Sequence, residues 1–82
     1  MNASATSATL FQKIVSASGL AALFGASTIR RACVRAGVPS PETMNGADLA
    51  KAMPALEQAL RIYLPPHEVD ARIRAVRGLL PP

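Results

Sequence analysis

Nucleophilic or general-base chemistry in this sequence would have to run through Cys33 and His67, each the only residue of its type. A thiol and an imidazole make a catalytic pair only when a third group orients the base. His67 stands between the Pro65-Pro66 pair and Glu68, at the start of an expected helix, and is placed in solvent. Cys33 sits in an apolar helical pattern and reads as a small core side chain. One His and one Cys fall short of a nitrogen and sulfur ligand set for a metal. The five carboxylates, Glu42, Asp48, Glu57, Glu68 and Asp70, all find places in helix first turns or helix-surface pairs. There is no GxGxxG run and no phosphate-binding P-loop. The sequence therefore reads as a non-enzyme, with no catalytic residue, no cofactor, no metal and no small-molecule substrate. A lone cysteine also excludes an intramolecular disulfide and fits a reducing, cytoplasmic setting.

What remains is charge. Nine Lys and Arg against five Asp and Glu give a formal net charge of +4. Glu57/Arg61, Glu68/Arg72 and Asp70/Arg74 are acid-before-base pairs at i, i+4, and Asp48/Lys51 is an i, i+3 version. Subtracting them leaves Lys13, Arg30, Arg31, Arg35 and Arg77 without a local partner. Three of these share one expected helix. If Ile29, Ala32, Cys33 and Ala36 face the core, Arg31 and Arg35 stack at i, i+4 on the outer side with Arg30 and Val34 flanking. Like charges at that spacing repel, and an anion or an acidic group from elsewhere relieves the repulsion. A solvated helix face that tolerates the repulsion is the plain alternative. Arg30, Arg31, Val34 and Arg35 are the candidate binding residues, as an interaction face or an anion contact.

The elements that must position them are short. Residues 1–6 are small and polar and read as a flexible arm, leaving 7–80 as one helical domain. Thr6 or Ser7 is expected to cap a first helix with Leu10, Phe11, Ile14 and Val15 on its apolar face, ending near Ser18 before Gly19. A short helical piece Leu20 to Phe24 is expected next, unless the helix continues through Gly19. Gly25 marks a further break, and Ser27 is the expected cap of the arginine helix, which stops at Ala36 on the Gly37, Val38, Pro39 signal. Ser40, Pro41 and Glu42 begin a single turn that ends near Met44. Asn45 and Asp48 form a capping arrangement ahead of the strongest stripe in the chain, Leu49, Met53, Leu56, Leu60 and Tyr63, spaced 4, 3, 4, 3. Pro54 interrupts that stripe, and a split or sharp kink is expected near Ala52 to Met53. Pro66 starts a last helix through Arg77, burying Val69, Ile73, Val76 and Leu80.

Half the residues are apolar, but Phe11, Phe24 and Tyr63 are the only aromatics, so the core must be aliphatic and its helices close. Residues of high strand preference are scarce. The expected fold is all-α: a small single-domain bundle of four to five short helices in irregular or orthogonal packing. The uncharged stretch Ile14 to Ile29 is 16 residues long, against roughly 20 for a bilayer, so no membrane span is expected. No positive charge precedes Lys13, which fits a secretory signal poorly. The functional expectation is a protein-protein interaction or self-association module, in the simplest case a homodimer that extends a small core. The alternative is a nucleic-acid-binding domain that sets the Arg30/Arg31/Arg35 helix on the phosphate backbone. Against it, none of Asn2, Gln12, Asn45 and Gln58, the polar residues suited to reading bases, lies on that helix.

Overall fold

The structure is a computed structural model and describes residues 8–81. Most helix boundaries have a local cause. Helix α1, Leu10–Ser18, begins at Thr9, whose hydroxyl accepts the Gln12 amide while the Gln12 side chain accepts the Thr9 amide. This reciprocal capping box satisfies two donors that a helix start otherwise leaves open. The cap is thus Thr9, not the expected Thr6 or Ser7, which lie outside the described residues together with the arm at 1–6. The helix ends as expected, with Gly19 in the left-handed conformation at φ 72°.

Helix α2, Ala22–Arg35, corrects the sequence reading. No separate Leu20 to Phe24 piece forms, Gly25 breaks nothing, and Ser27 is not a cap. Its hydroxyl donates instead to the Phe24 carbonyl at 3.1 Å. Gly25 is buried, and a Cβ there would lie 3.4 Å from the Leu20 Cβ and 3.6 Å from a Val15 methyl. These are ordinary contact distances, so the space does not itself demand glycine; packing of α2 in the bundle outweighs the roughly 1 kcal/mol that glycine costs inside a helix. The end of α2 follows the expected signal: Gly37 takes φ 98°, its amide donates to Val34, and the Val38 amide donates to Cys33 while Val38 is buried. These are the two hydrogen bonds of a Schellman stop.

After a single 3-10 turn, Pro41–Thr43, Asn45 and Asp48 close a second capping box and start α3, Gly46–Tyr63. The expected split at Pro54 does not occur; α3 is one helix with Pro54 inside it. Pro54 and Ala50 are both exposed, so the turn that loses a backbone hydrogen bond lies on the solvent side of the helix. Pro66 stands at the first turn of α4, Pro66–Arg77.

Each helix has its main contacts with two others, closing a ring α1, α2, α3, α4 and back to α1, with the 3-10 turn against α1 and α2. The core is aliphatic: Ile14, Ile29, Leu49, Leu56, Leu60 and Val76 are fully buried, with Phe11 the only buried aromatic ring. Leu49, Met53, Leu56 and Leu60 are buried as their spacing predicts, whereas Tyr63 is half exposed at the end of the stripe. The molecule is an all-helical bundle of four helices, and the described residues contain no strand.

Surface charges repartition across elements. Glu57 pairs with Arg77 of α4 as well as with Arg61, 3.9 Å away on its own helix. Glu68 and Arg72 pair at 3.7 Å. Asp70 and Arg74 do not pair. Asp48 serves the cap of α3, and Lys51 donates to the Gly37 carbonyl at 3.3 Å.

Candidate functional site

Successive residues of a helix are turned by about 100°, and on α2 this separates the three arginines. Arg30 points to the flank shared with α1. Its Nε donates to Glu42 Oε2 at 2.7 Å, its second nitrogen reaches the same oxygen, and the guanidinium lies 5.1 Å from the centre of the Phe11 ring. The hydrogen bonds from Arg30 hold the Glu42 carboxyl below its ordinary pKa. The positive charge of Arg30 is therefore met within the molecule.

Arg31 and Arg35 lie on the other flank, in line with Phe24 and Thr28, facing the end of α3. They line a cleft of about 110 Å³ with Thr28, Ala59, Ile62 and Tyr63. No carboxylate lines it. The Phe24 and Tyr63 rings meet beside it, centroids 5.8 Å apart and tilted by 56°. Beside them Ile62 is 66% exposed, whereas Leu23, 99% exposed, lies about 100° further round α2, in line with Arg30 and Val34. Thr28 is 95% buried by contrast (5% exposed), and its hydroxyl has no hydrogen-bond partner.

The four candidates therefore do not form one site. Arg31 and Arg35 share the cleft, Arg30 belongs to a separate cleft with Phe11 and Glu42, and Val34 lies half exposed outside both. Thr28, Phe24, Ile62 and Tyr63 were missed as site residues by the sequence reading. A signal was present. Leu23-Phe24 and Ile62-Tyr63 are adjacent large apolar pairs whose members point about 100° apart, so such a pair widens an apolar stripe toward the helix flank.

Cys33 is fully buried, and burial pushes its thiol up to about 11. His67 is exposed, its Nε2 3.9 Å from Glu68. The structure leaves these two side chains apart, one in the core and one in solvent. Among the described residues no three of His, Cys, Asp and Glu are grouped to hold a metal, and no single helix is long and apolar enough to cross a membrane. Compared with known protein families, with characterised proteins and with solved structures, the chain gives no match in any of the three.

Proposed function

We propose that this domain is a non-catalytic interaction module which docks an acidic, partly apolar segment of another protein on the α2/α3 flank. The observation that carries the reading is the joining of two surfaces: the exposed apolar group Phe24, Ile62 and Tyr63, and the Arg31/Arg35 cleft with no carboxylate in its lining. Moving a large apolar side chain from water to full burial contributes roughly 1.5 to 3 kcal/mol, and the partly exposed Ile62, Tyr63 and Phe24 each retain a fraction of that. Tyr and Arg in one patch are also the residue types that dominate binding energy at interfaces. The two adjoining cations select for acidic groups beside the partner's apolar ones.

A second copy of the chain is the less favoured occupant, because a two-fold contact through this flank brings two Arg31/Arg35 pairs together. Duplex DNA fits the apolar rim poorly. The test is selection of displayed random peptides on the whole chain. Enriched peptides are expected to combine Leu or Phe with Asp or Glu, and both Ile62→Asp and the Arg31→Ala/Arg35→Ala double variant are expected to lose them. Peptides that bind these variants as well as they bind the parent would overturn the reading. So would a micromolar homodimer that Ile62→Asp dissociates, or DNA binding whose log K against log salt slope falls by about two phosphates in the arginine double variant.

A further inference from the structure

We infer that the Thr28/Arg31/Arg35 cleft is a carboxylate-binding site, taking the side chain of a Glu or Asp from the docked segment. The inference rests on the reading of the α2/α3 flank as a docking face and adds what the partner must insert there.

Two independent features point to an oxyanion. The first is the pair of guanidinium groups one turn apart, lining a cleft that holds no acid. The second is the Thr28 hydroxyl. A threonine inside a helix can donate to the carbonyl three or four residues back, which for Thr28 are those of Gly25 and Phe24. The Phe24 carbonyl already takes the Ser27 hydroxyl, and Thr28 bonds neither. Its hydroxyl is an unused donor on a buried residue that lines the cleft. A buried polar group without a partner is uncommon in folded proteins. An oxyanion in the cleft that Thr28 lines would supply this hydroxyl with the acceptor it lacks.

The remaining lining decides between kinds of oxyanion. Ala59, Ile62 and the Tyr63 ring form an apolar wall. A carboxylate is planar, meets a guanidinium edge in two parallel hydrogen bonds, and in Glu or Asp comes on a hydrocarbon stem that such a wall covers. A phosphate dianion would turn part of its hydration toward that wall. The volume of about 110 Å³ takes a small terminal group; whole small-molecule ligands occupy sites of roughly 300 to 1,000 Å³.

The test follows the side-chain and backbone N–H signals of the full chain by NMR while sodium acetate replaces sodium chloride at constant ionic strength. Saturable shifts are expected at Thr28, Arg31, Arg35 and the Tyr63 ring. The Arg31→Ala/Arg35→Ala double variant should lose saturation. Thr28→Val, which keeps the side-chain shape, should weaken acetate binding about tenfold, and Thr28→Ser should restore it. Shifts that rise without saturating, or that appear equally at Arg61, Arg74 and Arg77, would overturn the site. Equal acetate affinity in Thr28→Val would do the same for the three-donor arrangement. Inorganic phosphate saturating the same residues at a tenfold lower concentration would overturn the choice of a carboxylate. The docking reading fails separately: saturating acetate with no variant-sensitive peptide leaves the cleft standing and removes the docking face. Peptides lost in Ile62→Asp but no acetate saturation remove the carboxylate site alone.

Discussion

The two flanks of α2 carry the same chemistry in different states of completion. On one, Arg30 meets the Glu42 carboxylate and the face of Phe11, so charge, hydrogen bonds and stacking are satisfied by elements that precede and follow the helix. On the other, Arg31 and Arg35 face Ile62 and Tyr63 across a cleft without an acid, and Thr28 is left with an unused hydroxyl. Three arginines within six residues are equivalent in composition, but the neighbours are not. The 3-10 turn at Pro41–Thr43 delivers an acid to the first flank, whereas the end of α3 delivers apolar side chains to the second. A completed flank contributes to the fold, and an incomplete one is where a second molecule gains most.

The change with the largest effect removes the support of both flanks together. Leu56 is fully buried on α3 beneath the ring of helices, and Leu56→Ala is expected to cost roughly 2 to 5 kcal/mol. Urea titration should show the loss. A variant as stable as the parent would mean that α3 does not anchor the bundle.

Thr28→Val is expected to act in the opposite direction. Replacing a buried, unpaired hydroxyl by a methyl of similar shape removes a desolvation penalty, and the gain should be on the order of 1 kcal/mol. The same variant is the one expected to lose acetate binding, so stability and binding should move apart. A fall in melting temperature would show that the hydroxyl is paired in solution and that the second flank is complete after all.

The arginines themselves give a smaller and signed contrast. Arg30→Ala should destabilise by about 0.5 to 1 kcal/mol, chiefly through the lost ring contact at a partly exposed site. Arg31→Ala/Arg35→Ala should leave stability unchanged or raise it by a few tenths of a kcal/mol, since it relieves a like-charge pair. Thermal melts of the two variants side by side decide this, and equal losses would erase the distinction between the flanks.

The smallest effect is on acid stability. The folded pKa of Glu42 is lowered by its hydrogen bonds with Arg30, so its contribution is present above the ordinary value of 4.5 and is lost as pH falls below it toward the folded value. In Glu42→Gln that part of the acid-induced loss should be absent. Melts at pH 6 and pH 3 should therefore show a slightly smaller drop for the variant than for the parent, and an identical drop would show that the pair is not held in solution.

Much of the fold was legible in the chain because its signals are local. The Asn45/Asp48 capping box, the Gly37-Val38-Pro39 stop, the left-handed Gly19 and the 4, 3, 4 stripe of α3 need only neighbours within a turn or two to be recognised, and each forms as its residues dictate. Gly25 and Pro54 were misread for the complementary reason. Both weaken an isolated helix, yet one is buried in the bundle and the other lies on the solvent side of α3, so tertiary packing outweighs local propensity. The candidate site divides along the same line. That Arg31 and Arg35 stack without a local partner follows from spacing alone. Which arginine finds an acid was decided by the tertiary structure, which brings Glu42 to Arg30 and the end of α3 to Arg31, Arg35 and Thr28. Ion pairs and clefts between elements depend on how helices cross, and that is set by the whole core at once.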